Sequence, residues 1–267
     1  MFRCYGKALI GCILYPILIF QQQAMAIIRY KQSNRFLLPH KIFSGILDFF
    51  YPPFCQFCME PLEDARHLVC NKCWSSLEPF GDFPIKFQSR HRHLDTVIVG
   101  LLGNAALDDP LNQIIHQLKY DRRDELAQGL ANRMAMELAP LRWMKYVDMI
   151  IPVPLHPSRV CARGYNQSQL LADHLGNMFG VPVVSKMLIR TRPTESQTRL
   201  NREQRLENVA GAFRVQDADS INGLRILLID DVVTTGATLN ECAKTLKKAK
   251  ALDVYAAAAV HFQAKLP

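Results

Sequence analysis

Two stretches of this 267-residue sequence carry residue types at spacings that suit chemistry. The first begins at Leu224 and reads LRILLIDDVVTTGAT. An apolar run ends in two acids, Asp230 and Asp231, and a small hydroxyl-rich turn follows: Thr234, Thr235, Gly236, Ala237 and Thr238. A helix is predicted directly after the turn. Such an arrangement is an anion site. Gly236 lets the backbone come close to a ligand. N–H groups at a helix start point at a phosphate, with the helix dipole behind them. Threonine hydroxyls add donors. The loop lacks the lysine and spacing of a P-loop, so no NTPase site is expected. Two carboxylates beside a phosphate cradle make sense if they hold sugar hydroxyls, or a cation-bound sugar, rather than the phosphate itself.

The second stretch is a cysteine cluster, Cys55-x2-Cys58 and Cys70-x2-Cys73. Each pair can place two thiolates on one metal, and two pairs complete a tetrahedron. Tetrahedral sulfur selects zinc or iron, and zinc suits this pattern best. Four thiols leave no open position for catalysis, so the zinc is predicted to be structural. His67 is a nearby substitute ligand, and a redox-active or disulfide-bonded pair is the alternative reading.

Two further segments flank the anion site. Residues 150–167 read IIPVPLHPSRVCARGYNQ, a predicted strand running into a proline-rich basic loop before a helix near Tyr165. Arg159, Arg163 and Gly164 are the candidates there, because arginine makes fork-like bonds to phosphate. Residues 191–213 form a long charged segment between two predicted strands, and long loops are often functional lids. Arg199, Arg202 and Arg205 are three apart and share a face if that segment is helical. Such a face suits pyrophosphate or a nucleic-acid backbone; a solvated surface helix is the alternative.

The stretch 226–238 resembles the phosphoribosyl pyrophosphate (PRPP) motif of type I phosphoribosyltransferases. The resemblance implies that Asp230 and Asp231 bind the ribose hydroxyls, and that Thr234, Thr235, Gly236, Ala237 and Thr238 hold the 5′-phosphate. It implies magnesium, arriving with PRPP, and assigns Arg159, Arg163 and Gly164 to the pyrophosphate. Residues 191–213 resemble the loop that closes over PRPP in amidophosphoribosyltransferases. PVPLHP and RGYNQ look like pieces of the competence protein F family, which also carries an N-terminal tetracysteine module. The combined match spans about 47–262. It implies a phosphoribosyltransferase-like protein linked to DNA uptake or the use of external DNA, with turnover left open. Single-stranded DNA and a helicase-like protein are the implied partners. Glutamine-dependent amidotransfer is not expected, because no glutaminase half is recognisable.

The elements that must position these residues follow from hydrophobic period. Strands are predicted over 96–102, 147–153, 181–189, 224–229 and 254–260. Helices are predicted over 41–50, 107–119, 125–138, 165–179 and 237–249. Alternating strands and helices imply α/β architecture, a mostly parallel sheet flanked by helices, here of the type I phosphoribosyltransferase kind with a small zinc-ribbon-like module. The expected division is an extension over 1–40, the tetracysteine module over 41–80, and the phosphoribosyltransferase-like domain over 95–267. Residues 81–94 read as a linker.

Hydrophobic residues make up 49% and charged residues 21%, which excludes a disordered or fibrous chain. The net charge of +8 favours anionic partners without choosing between phosphorylated metabolites and nucleic acid. Arg3 and Lys7 precede an apolar run over 8–20, and Ala24-Met25-Ala26 matches a small-residue cleavage site, the pattern of a secretory signal. The run is too short for a stable membrane span. An upstream extension is the preferred reading, because free metal-spaced thiols and a PRPP-type site belong in a reducing, cytoplasmic setting.

Overall fold

Strand β5 spans Arg225–Val233 and has neighbours on both sides. With β1 (Thr96–Asn104), β2 (Met149–Pro152) and β6 (Asp253–Gln263) it forms a sheet of order β1-β6-β5-β2, parallel at every pairing. The computed structural model describes residues 53–64, 67–77, 96–104, 109–193 and 202–263, with the backbone alone for 96–104, 202–203 and 263. These residues belong to one unit, Pro53–Pro267. The predicted helix over 41–50, the linker over 81–94 and the extension over 1–40 lie outside them.

Alternation along β5 builds the core. Leu227 and Ile229 enter one apolar cluster, and Ile226 and Leu228 enter the other. The same split occurs in β6, with Ala257 and Ala259 on one side and Val254, Ala256 and Ala258 on the other. Side chains of a strand point alternately to opposite faces, so a strand buried on both must read as a continuous apolar run.

Helices α2 (Pro110–Tyr120), α3 (Leu126–Leu138) and α5 (Gln167–Phe179) contribute to the first cluster, and α7 (Ala237–Lys248) to the second. Their ends are legible chemistry. The Asp109 carboxylate accepts from Leu111 N–H at 2.7 Å, and Pro110 opens α2. Asn166 caps α5 by accepting from Ser168 N–H at 3.2 Å, and Gly180 ends that helix in the left-handed region.

Three expectations are corrected. The strand predicted over 181–189 divides. Val183 makes a single parallel bridge to Ile150 at the sheet edge, and a turn at Ser185 and Lys186 leads to β3 (Leu188–Arg190). That strand pairs antiparallel with β4 (Phe213–Val215) in a separate two-stranded sheet. The polar turn lets the chain leave the parallel sheet, a change that apolar periodicity does not register. Next, the proline-rich segment is not all loop: α4 (Pro157–Arg163) forms there, begun by Pro157 and ended by Gly164 at φ 89°. Finally, β5 continues through both acids to Val233 instead of stopping at Ile229, with Asp230 paired to Ala258. Within the charged segment 191–213, α6 (Arg202–Val209) is helical.

The cysteine segment packs onto α3. Helix α1 (Asn71–Ser76) carries Trp74 against Gly129 of α3, where an added Cβ would overlap the indole ring. The Arg133 guanidinium donates to the Leu77 carbonyl at 3.4 Å, and Val69 and Leu77 join the same apolar cluster as α3. Gly129→Ala should therefore destabilise the protein by roughly 1–3 kcal/mol through overpacking, against a helix-propensity gain of about 1 kcal/mol. Urea denaturation of the two proteins measures the difference; an unchanged or raised midpoint would show that Trp74 does not hold this contact.

Candidate functional site

The carboxyl ends of β2 and β5 open into a cavity of about 220 Å³. Its lining includes Asp230 and Asp231, with Thr234 and Thr238 of the turn. Five cationic side chains, Lys119, Arg159, Arg163, Arg190 and Arg205, line the same space. A smaller adjoining cavity is lined by 232–239 and Asp230. Gly236 adopts φ 72°, a conformation that suits glycine, and gives α7 no side-chain cap. Ala237, Thr238 and Leu239, the first turn of α7, line this smaller cavity. Thr234, Thr235, Gly236, Ala237 and Thr238 all line this smaller cavity.

The two acids are held differently. Asp230 is half-buried and accepts hydrogen bonds from Ser168 Oγ and from Asp231 N–H, each at 2.9 Å. Burial first, then the neighbouring Asp231 charge, push its carboxyl up to about 7. Asp231 is buried, accepts from Val232 N–H at 2.8 Å, and pairs with the Lys119 ammonium at 3.1 Å.

Arg159 and Arg163 reach the cavity from α4. Arg163 donates to Gln167 Oε1 at 3.1 Å and lies over the exposed Tyr120 ring, 5.2 Å from its centroid. Gly164 is not among the lining residues; it ends α4 in the left-handed region. Tyr165, Asn166 and Gln167 act as scaffold. The Tyr165 hydroxyl and the Gln167 amide both donate to the Leu118 carbonyl, at 2.6 and 3.4 Å. Asn166 donates to the Val153 carbonyl at 3.0 Å. From α6, the Arg205 guanidinium donates to Thr234 Oγ1 at 2.9 Å, so the charged segment touches the 234–238 turn. Arg199 and the Arg202 side chain lie outside the described residues.

Sequence reasoning missed Lys119, Ser168 and Arg190. A lysine at a helix end and a serine in a first turn are unremarkable in sequence. Arg190 did leave a signal, being a charge that ends an apolar strand; it is 9% exposed and lies 5.4 Å from the Phe213 ring centroid.

The four cysteine sulfurs lie within 4.8 Å of one another, with Cys55–Cys73 at 3.7 Å and Cys58–Cys70 at 3.6 Å. A tetrahedral zinc with bonds of about 2.3 Å requires sulfur separations of about 3.8 Å, so this set fits the ion. A disulfide needs about 2.05 Å and is not formed. Cys70 N–H points to Cys55 Sγ and Cys73 N–H to Cys70 Sγ, both at 3.4 Å, which orients the sulfurs. His67 is not part of the cluster. Among the described residues, no helix is long and apolar enough to cross a membrane.

Comparison with known proteins adds to this geometry. A phosphoribosyl transferase domain family matches residues 163–265, and a double zinc ribbon domain family matches residues 46–83. The second span contains the four clustered cysteines, a set for one ion. The DNA utilization protein YhgH of Salmonella typhimurium is 37% identical over 216 residues, covering 76% of this chain and 94% of that protein. Competence protein F of Haemophilus influenzae is 27% identical over 209 residues, covering 73% and 90%. A solved adenine phosphoribosyl transferase from Trypanosoma brucei aligns with 59% of this chain and 70% of its own at 14% identity and a TM-score of 0.36, a distant likeness.

Two outcomes follow from the site. Cys58→Ser should lose the single bound zinc, read by atomic absorption. Its melting temperature should fall by on the order of 5–10 °C, the shift of about 2–3 kcal/mol in a chain of this size. Asp230→Asn should stabilise the ligand-free protein above neutral pH. The raised carboxyl means that the folded state holds its proton while the unfolded state releases it near pH 4. Native stability therefore falls as pH rises from there to about 7, and asparagine removes that loss. The gain should be at least about 1 kcal/mol at pH 8 and smaller at pH 5. Thermal melts at the two values decide it, and a gain independent of pH would contradict the assignment.

Proposed function

Because the chain belongs to the family of the DNA utilization protein YhgH and competence protein F, we propose that its cavity binds magnesium-complexed PRPP and supports phosphoribosyl transfer. The fold is that of a type I phosphoribosyltransferase joined to a zinc ribbon. One observation carries the reading: an adjacent acid pair, two threonines of the helix-start turn and five cations line one cavity. In this reading Asp230 and Asp231 accept hydrogen bonds from the ribose hydroxyls. Thr234, Thr235, Gly236, Ala237 and Thr238 hold the 5′-phosphate, and Arg159 and Arg163 hold the pyrophosphate.

The chemistry follows from those contacts. The bond from ribose C1 to the pyrophosphate oxygen breaks and its electron pair leaves with pyrophosphate. The acceptor's lone pair forms the new bond to C1, and the acceptor then gives up its proton. Magnesium is part of the substrate and neutralises phosphate charge. The protein positions the sugar and stabilises the departing charge, with no covalent nucleophile required. Arg205 on α6 would close the charged segment over the ligand and exclude water.

A second reading is favoured by the relatives' names, which refer to DNA utilization and competence. In it the site binds PRPP or a nucleotide without turnover, and the basic chain contacts single-stranded DNA or a helicase-like partner. Such DNA binding should weaken steeply with salt.

Calorimetric titration of the zinc-loaded protein with PRPP and magnesium tests the first reading. Saturable binding is expected in the wild type. It should fall by about a hundredfold or more in Asp230→Asn/Asp231→Asn and about tenfold in Arg205→Ala, the loss of one charge-assisted hydrogen bond. A folded, zinc-loaded wild type that shows no binding would sink this reading and leave the DNA-linked one.

A further inference from the structure

Lys119 is the penultimate residue of α2. A lysine near a helix C-terminus ordinarily reaches into water, where it complements the helix dipole. Here the side chain is only 20% exposed, lines the cavity, and places its ammonium 3.1 Å from Asp231 Oδ2. The residue before it explains the placement. Leu118 is fully buried, and its carbonyl receives both the Tyr165 hydroxyl and the Gln167 amide. Ser168, the next residue, donates to Asp230. The short run 165–168 therefore anchors the helix that carries the lysine and also holds one of the two acids.

The neighbouring Asp231 charge opposes ionisation of Asp230. The groups that face them are Lys119 from α2, Arg159 and Arg163 from α4, Arg190 from β3, Arg205 from α6 and the Cys242 thiol from α7. The guanidinium groups keep their charge across the accessible range. Burial holds the Cys242 thiol in its protonated form. His261 on β6, hydrogen-bonded at Thr234, is driven by burial toward its neutral form. Neither of these two groups changes charge above neutral pH, so the raised Asp230 carboxyl is the group that responds near neutrality.

We propose that Lys119 is a positioning residue of the ribose-phosphate site: anchored through the Leu118 carbonyl and paired with Asp231 at 3.1 Å, it holds that carboxylate oriented beside Asp230, ready to accept ribose hydroxyls. The inference rests on the PRPP-binding reading given above.

The experiment has two arms, run on zinc-loaded wild type, Lys119→Met, Lys119→Arg and Tyr165→Phe. The first follows the aspartate carboxyl carbons by NMR from pH 5 to 9 without ligand. The second titrates PRPP with magnesium by calorimetry between pH 6 and 9. In Lys119→Met the acid pair should titrate about one unit higher, and PRPP should bind about five- to tenfold more weakly at pH 7, recovering toward pH 9. Lys119→Arg should keep both properties within about threefold, and Tyr165→Phe should shift both in the same direction by less. Lys119→Gln takes the place of the methionine variant if that chain does not fold. An unchanged acid titration in Lys119→Met, with PRPP binding intact, overturns the Lys119 role alone. An equal loss in Lys119→Arg also overturns it, because shape rather than charge would then be responsible. Absence of PRPP binding in the wild type overturns the functional reading, and with it the ribose role given to the pair.

Discussion

Asp230 and Asp231 are consecutive residues of β5 at the wall of a partly enclosed cavity, and neighbouring carboxylates in such a place repel unless each is answered. Each is answered separately. Asp230 takes a serine hydroxyl and a backbone N–H; Asp231 takes a lysine ammonium and another backbone N–H. Four arginines then turn the cavity as a whole cationic. A cavity lined by both acids and cations suits a ligand with both hydroxyl and anionic groups, as the proposed function requires. Neither half of the cavity alone would orient such a molecule.

Meeting that constraint uses parts distant in sequence. Lys119 belongs to α2, Ser168 to α5, Arg190 to β3 and Arg205 to α6, and the sheet brings them to the end of β5. The run 163–168 is the joint among them. Arg163 enters the cavity, Tyr165 and Gln167 hold the end of α2, Asn166 ties β2 to α5, and Ser168 reaches Asp230. A segment that looks like a ligand loop in sequence thus acts largely as scaffold. Tyr165, Asn166 and Gln167 donate to backbone carbonyls, which buried structure must satisfy.

The zinc ribbon belongs to the same framework. Its thiols are spaced for one tetrahedral ion, and its indole lies on α3 where the absence of a side chain at Gly129 makes room. Helix α3 in turn shares a core with α2 and α5, the two helices that bear Lys119 and Ser168. A segment of this length has too little apolar surface to order itself. The metal and the face of α3 supply what its own core lacks.

Much of this was readable beforehand, for identifiable reasons. The alternation of apolar strands with amphipathic helices specified a parallel α/β sheet, because burial on both faces demands continuous apolar strands. The local run from Asp230 to Thr238 specified the acid pair and the turn that opens α7, since both arise from neighbouring residues and one backbone conformation at Gly236. The paired cysteines specified a metal site for the same reason. The division of 181–189 between two sheets, the helix over Pro157–Arg163, and the continuation of β5 through its acids were not legible. Hydrophobic period cannot distinguish a turn between sheets from a continuous strand, nor see a short helix made by proline and glycine. Tertiary structure alone decided which cations answer the acids. Lys119 has ordinary local sequence and Arg190 shows only as a charge ending an apolar strand; the folding of α2 and β3 against the end of β5 takes both charges out of water and into the cavity.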